Sequence, residues 1–340
     1  MRKPETDITN TQSKNEITLE SLCSSIQDDL DKIEEKLKTF TKSSNLIVSE
    51  INSYLFQKTG KRIRPVLLVL CSKLFKYKGN EHIFLSALIE TMHTASLIHD
   101  DIIDNSKTRR GLPTPHTKWG PNIAVLLGDY LYIKSLYLSL KNSSKEINQL
   151  VAEFSAKMIE GELNEYYMSR NLNIKEKDYL DIISKKTASL FCASCQIGSI
   201  LGYASEKEKK ILGEFGTNLG ISFQIIDDIL NYTADEKTLG KPVLSDLSEG
   251  RITLPLIFTL NNDGKENRKR LIELLKIEKL GDNPKKEILN IVKSNGALDY
   301  SYKKAQIYSM KSKEIINQFP KSIYKNSLAL IPDFNLNRKK

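Results

Sequence analysis

The chain has 340 residues, 40% hydrophobic and 27% charged, which is ample apolar material for one large core. Mean hydropathy is −0.36, and the longest apolar runs, such as Ile123–Ile133, fall far short of the ~18 residues of a membrane span, which excludes an integral membrane protein on run length. The 51 basic residues outnumber the 42 acidic ones, but they are scattered, so the net charge of +9 reads as a solvated surface compatible with small anionic substrates, not as a nucleic-acid footprint.

Residues 1–18 are polar, lack an apolar leader segment and carry Glu5, Asp7 and Glu16, so a flexible tail is expected there and not a secretory or organellar signal. From Leu19 to Phe40 the apolar residues Leu22, Ile26, Leu30, Ile33 and Leu37 recur at helical spacing. The same periodicity returns in Val66–Lys76, His82–Asp104, Asn122–Leu140, Ile147–Ser169, Lys177–Gly202, Glu206–Asn231, Leu254–Leu260, Arg268–Leu275, Lys285–Ser294 and Leu298–Gln318. Gly- and Pro-containing breaks separate them, among them Gly111–Pro121 and Gly240-Lys241-Pro242. Alternation of strand type is nearly absent. The expectation is an all-α fold, one domain over residues 19–335, and a frayed basic tail over 336–340 that carries Arg338, Lys339 and Lys340. Four cysteines without a dense framework point to a reducing compartment, and the cytoplasm fits. Cys192 and Cys195 have CxxC spacing, but no second ligand pair stands at zinc spacing, so both sulfurs are expected to pack on a buried helix face.

Two acidic clusters carry the chemistry. Asp100 and Asp104 are four residues apart, one turn from each other on a helix face, with Asp101 beside them. Asp227 and Asp228 form a second cluster, with Asn231 where a third carboxylate would stand. Both follow apolar residues that should be buried. Oxygen-only donors in this arrangement suit a hard cation such as Mg²⁺, which takes one or two carboxylates and completes its shell with phosphate oxygens. Basic groups accompany them: Lys61 and Arg64, Arg109 and Arg110, Lys185 and Lys186, and Lys241. Guanidinium and ammonium groups are what diphosphate oxygens require, and the set suggests two diphosphates bridged by metal.

The chain resembles the trans-isoprenyl diphosphate synthases (polyprenyl synthases). The matching segments are Gly60–Pro65, Glu90–Asp104, Arg109–Gly120, Gly128-Asp129-Tyr130, Lys186-Thr187, Phe223–Tyr232 and Gly240–Leu256, in family order over nearly the whole chain. The resemblance implies an isoprenoid-synthase-like helical bundle around a deep central cavity, usually in a homodimer. It implies that Asp100, Asp104 and Asp227, supported by Asp101 and Asp228, bind three Mg²⁺ ions that hold an allylic diphosphate such as farnesyl or geranylgeranyl diphosphate. Arg109, Lys186 and Lys241 would contact that diphosphate, and Lys61, Arg64, His93 and Arg110 would hold isopentenyl diphosphate. Thr187 and Gln224 match the family's residues beside the developing cation. Asp246 and Arg251 fall in a trailing Gly-Lys-x-x-x-x-Asp-x-x-x-x-Lys pattern, with Arg in place of the last Lys. Thr59, His116 and Asn231 also depart from the family pattern, and Asn231 is expected to weaken metal affinity without abolishing activity.

Ala95 and Ser96 precede Asp100 by about one helical turn, where a bulky side chain would plug the cavity and small ones leave it open. They favour a product longer than geranylgeranyl diphosphate, with Tyr130, Tyr132, Tyr137 or Met92 as candidates for the floor. A His-Asp phosphohydrolase, prompted by His99-Asp100, would want more histidines than His82, His93, His99 and His116 supply. A class I terpene cyclase would need no second diphosphate pocket, and a non-catalytic subunit of a heteromeric synthase would be expected to have lost aspartates. The basic C-terminus allows at most peripheral membrane contact.

Overall fold

A computed structural model describes residues 18–40, 42–58, 60–234, 244–262, 264–277 and 280–338. The described chain is helical almost throughout. In order, the helices are α1 (Leu19–Cys23), α2 (Gln27–Phe40), α3 (Leu46–Leu55), α4 (Ile63–Leu74), α5 (Glu81–Ile103), α6 (Pro115–Trp119), α7 (Pro121–Asn142), α8 (Lys145–Met168), α9 (Glu176–Ile183), α10 (Ser189–Leu201), α11 (Glu206–Thr233), α12 (Ser245–Ser248), α13 (Leu254–Asn262), α14 (Lys265–Leu275), α15 (Asp282–Ser294), α16 (Ala297–Asn317) and α17 (Ile323–Leu336). Two-residue strands β1 (Thr108–Arg109) and β2 (Leu112–Pro113) form an antiparallel hairpin between α5 and α6.

Local chemistry sets the boundaries. Asn45 and Ser144 accept hydrogen bonds from the first turns of α3 and α8, and Ser205 with Glu208 forms a reciprocal capping box on α11. Three expectations change. The Lys177–Gly202 stretch is two helices joined by a π-helical turn at Ser184–Ala188. Leu19–Phe40 is interrupted by a 3₁₀ turn at Ser24–Ile26. Helices α3 and α17 were not expected: α3 has only 10 residues, and α17 carries Pro332 inside it, where a helix reads as broken.

Helix α11 runs the length of the bundle. Its first half joins α4, α5, α8 and α10 around Leu68, Leu88, Phe191 and Phe215, all buried. Its second half joins α9, α13 and α16 around Ile225, Leu254 and Leu256. Gly220 lets it meet the π turn closely, since a Cβ there would stand 2.5 Å from Ala188 Cα. Side-chain bonds from Ser222 to the Ala305 carbonyl and from Asn335 to Ser222 tie α16 and α17 to the same helix. Cys195 is buried beside Cys71 of α4, whereas Cys192 is half-buried and donates to Gln196.

Helix α7 corrects the run-length argument. Polar Asp129 and Lys134 break its apolar runs, yet the whole 22-residue helix is long and apolar enough to cross a membrane, and only 33% of its apolar window is buried. Leu126, Ile133 and Leu140 of α7 and Ile159, Leu163 and Tyr166 of α8 are exposed.

Candidate active site

Helices α5 and α11 deliver their acidic clusters to opposite walls of a cavity of about 1440 Å³. Asp100 and Asp104 occupy the last turn and C-cap of α5, and Asp227 and Asp228 stand two turns or less from the end of α11. Carboxylates at the negative end of a helix dipole are unfavourable without a counter-charge. Arginines supply it. Arg251 Nη2 lies 2.6 and 2.5 Å from the two carboxylate oxygens of Asp104. Arg338 Nη2 lies 2.5 Å from Asp227 Oδ1. Arg109 Nε donates to both oxygens of Asp101 at 2.9 Å. Burial raises the Asp104 carboxyl above its ordinary value, against the pull of Arg251 and Lys186.

Asp101 and Asp228, grouped with the metal ligands from sequence, are placed differently from the other three. Asp101 is 1% exposed and turned onto Arg109, outside the lining of the main cavity. Asp228 lies in the wall with both oxygens engaged, one by the Tyr179 hydroxyl at 2.6 Å and the other by Gln224 Nε2 at 2.8 Å. Burial and the neighbouring Asp246 push its carboxyl up to about 8. Among the described residues no three His, Cys, Asp or Glu side chains converge into a ready-made metal cage.

The hairpin explains the two arginines. Arg110 and Gly111 have φ of 52° and 73°, the left-handed pair of a two-residue type I′ turn, and an arginine there carries strain that glycine would not. The turn sends successive side chains to different places. Arg109 goes to Asp101, while the Arg110 guanidinium lies on Gly60, where a Cβ would stand 2.6 Å from Nη2. Arg64 stacks on Phe191 at 4.9 Å, and burial lowers its pKa to about 10. Burial and then the Arg64 and Arg110 charges hold His93 well below the ordinary histidine value, so it is neutral. Lys61 lines the cavity beside Asp227 and Arg338. Arg62, between these cationic residues in sequence, is instead a structural counter-ion for Glu34 and Glu90.

The π turn presents Lys186 and Thr187, and such turns recur at functional sites. Gly161 of α8 makes room for it, since a Cβ there would stand 2.3 Å from Lys186 N. Lys186 Nζ meets Glu162 at 2.5 Å and Glu165 at 2.6 Å. Burial depresses the Lys186 ammonium, but Glu165, Asp100 and Glu162 outweigh it and raise its pKa. Burial, with Asp100 nearby, lifts Glu162 to about 7. Thr187 Oγ1 donates to Gln224 Oε1 at 2.8 Å. Glu162, Glu165 and Tyr179 went unread in the sequence; the first two had a signal, Gly161-Glu162-x-x-Glu165 at one-face helical spacing.

Lys241 and Thr59 lie outside the described residues, as do Lys339 and Lys340. The solvated C-terminal tail is corrected at Arg338. Its guanidinium is drawn into the cavity by Asp227 and packs over Phe223 at 4.3 Å. Asn231 does not face the cavity; it is 1% exposed and donates to Ser245 Oγ at 3.0 Å, steadying the segment that carries Asp246. Ala95 is packed against Ile51, Ala124, Leu127 and Leu131. Ser96 is bonded to the His93 carbonyl and meets Tyr132, so the space next to the small residue is filled from α7. Tyr130 packs beside the Ala95 cluster, Met92 is in the main core and Tyr137 is exposed.

The sequence matches the polyprenyl synthetase family over residues 45–292. It is 38% identical to geranylgeranyl diphosphate synthase of Sulfolobus acidocaldarius over 86% of this chain and 91% of that one. It is 34% identical to heptaprenyl diphosphate synthase component 2 of Bacillus subtilis over 96% and 92%. Its fold is similar to that of a polyprenyl synthase from Caulobacter crescentus CB15 complexed with calcium and isoprenyl diphosphate, with a TM-score of 0.89 at 29% identity over 95% and 98% of the two chains. With paired acidic helix ends facing each other across a cavity rimmed by arginine and lysine, the chain belongs to the polyprenyl synthetase family and is a prenyl transferase.

Proposed function

We propose that the chain condenses isopentenyl diphosphate with an allylic diphosphate, farnesyl or geranylgeranyl diphosphate, to an all-trans polyprenyl diphosphate longer than geranylgeranyl. The observation that carries this is the placement of Asp100 and Asp104 on α5 opposite Asp227 on α11, across a cavity also lined by Lys61, Arg109, Arg110, Lys186, Arg251 and Arg338. The donors are carboxylate oxygens, with no preformed cage among the described residues, which fits Mg²⁺ completing its shell with diphosphate oxygens. Asp100, Asp104 and Asp227 would hold three such ions, and when bound these neutralise the departing diphosphate.

The chain's own residues do the rest. Arg109 and Lys186, with Lys241, bind the allylic diphosphate; Lys61, Arg64, Arg110 and the neutral His93 hold the other. The oxygens of Thr187 and Gln224 face the carbon where positive charge develops as the carbon–oxygen bond breaks. The double bond of isopentenyl diphosphate attacks that carbon, and the released diphosphate accepts the proton. No protein nucleophile is required, and fixed orientation supplies most of the acceleration. The apolar faces of α7 and α8 support a homodimer, and the reading places the enzyme in the cytoplasm.

A second reading, a product ending at geranylgeranyl, is favoured by Tyr132 packing against Ser96 one turn below Asp100. The test of the main reading is chelation and restoration. Turnover should vanish with EDTA and return with Mg²⁺, and Asp227→Asn should lower it by roughly a hundredfold or more. Turnover indifferent to both would overturn it.

A further inference from the structure

We infer that Asp228 and Tyr179 are positioning residues for the Gln224 amide, and that Asp228 is not a metal ligand. The inference rests on the functional reading above and deepens it. Asp227 is 35% exposed at its side chain and opens to the cavity, whereas Asp228, the next residue, is 4% exposed. Each oxygen of Asp228 is already occupied, Oδ2 by the Tyr179 hydroxyl at 2.6 Å and Oδ1 by Gln224 Nε2 at 2.8 Å.

These bonds settle which way the amide points. An amide has a donor end and an acceptor end; here Asp228 Oδ1 receives the donor end, Nε2, while Tyr179 donates to the other oxygen. With Nε2 held by Asp228, Oε1 is presented on the other side, where it receives Thr187 Oγ1 at 2.8 Å. The chain Tyr179–Asp228–Gln224–Thr187 therefore spans α9, α11 and the π turn and fixes the orientation of the amide of Gln224, a residue of the cavity wall. A dipole fixed in advance costs no reorganisation when a cation forms beside it, whereas a freely rotating amide does. Tyr179 is itself 4% exposed and comes from a different helix, so it stops the carboxylate from turning with its own helix.

The prediction is that disturbing Asp228 or Tyr179 slows the chemical step and leaves substrate and metal binding nearly intact. Asp228→Asn presents a donor to one of its two donors and lets the amide flip; Tyr179→Phe removes a single hydroxyl. Both should lower kcat, roughly a hundredfold and tenfold respectively, with KM for either diphosphate changed less than about threefold. Mn²⁺ affinity measured by electron paramagnetic resonance with inorganic diphosphate present should fall at least about tenfold in Asp227→Asn and less than about twofold in Asp228→Asn. Because both act through one amide, adding Asp228→Asn to Gln224→Met should cost nothing further. Loss of Mn²⁺ affinity in Asp228→Asn equal to that in Asp227→Asn would overturn the inference, as would additive losses in the double variant. If the wild-type chain condenses no substrate, the functional reading falls, and the Mn²⁺ comparison still decides the place of Asp228.

Discussion

Arg338 Nη2 sits 2.5 Å from Asp227 Oδ1, so the last described residue of the chain neutralises an aspartate of the cavity wall. The same guanidinium rests on the Phe223 ring, one turn earlier on α11. Arg338 would compete with a metal ion for Asp227 Oδ1. Arg338→Ala is therefore expected to raise Mg²⁺ affinity of the substrate-free protein about fivefold, the equivalent of ~1 kcal/mol of lost ion pairing, measured by titration calorimetry. Unchanged affinity would show that the pair does not compete with metal.

Gly161 is expected to be intolerant of any side chain. A Cβ there would collide with the backbone of Lys186, which cannot rotate away as a side-chain tip could. Gly161→Ala should cost about 1–3 kcal/mol in urea unfolding. Turnover should fall further than stability does, because the displaced segment carries Lys186 and Thr187.

Product length should respond at the contact between α5 and α7. Ser96→Phe is expected to shorten the product, since the added ring competes with Tyr132 for one space. Tyr132→Ala is expected to lengthen it. Mass analysis of the dephosphorylated products would show both, and identical products from all three proteins would remove this contact from length control.

His93 is neutral among Arg64, Arg110 and Arg109, and in the proposed function it would serve isopentenyl diphosphate as a hydrogen-bonding group. His93→Gln should therefore keep KM for isopentenyl diphosphate within about threefold, whereas His93→Leu should raise it about tenfold by deleting the hydrogen bond. Equal KM values for the two variants would contradict this role.

Away from the cavity, His82 Nε2 lies 2.8 Å from Asp29, which Lys73 also approaches at 3.3 Å, with the Tyr77 ring edge-on to the imidazole. Burial pushes the His82 imidazole below its ordinary value despite the pull of Asp29. Burial would raise the Asp29 carboxyl, but His82 and Lys73 bring it lower. Both folded pKa values are depressed, so both groups contribute stability that is present above their unfolded pKa values and lost as pH falls through the folded ones. Tm should decline on acidification below about pH 6.5, first through His82 and then through Asp29. His82→Gln, neutral throughout, should flatten the first part of that decline, and parallel Tm profiles would contradict it.

The sequence made the helices around the chemistry legible because α5, α8 and α11 are long, with 23, 24 and 28 residues, and the caps of α8 and α11, Ser144 and Ser205 with Glu208, are spelled out locally. Asp100 and Asp104 were legible because four-residue spacing puts them on one helix face, whereas Asp227 was singled out from Asp228 by the family resemblance. What escaped depends on three-dimensional approach. The π turn at 184–188 follows from Gly161 on another helix, and the division of labour between Asp227 and Asp228 follows from Tyr179 on a third. Arg338 reads as a tail charge until the end of α17 brings it to the cavity wall. Ala95 and Ser96, adjacent in sequence, meet different neighbours because 100° of helical rotation separates them.

The most direct test of the central claim is the mass of the alcohol recovered after the purified chain, Mg²⁺, isopentenyl diphosphate and farnesyl diphosphate are incubated and the product is dephosphorylated. A polyprenol longer than geranylgeraniol, formed only with Mg²⁺, is the expected result. Failure of the chain to extend farnesyl, geranylgeranyl or any shorter allylic primer would contradict the account.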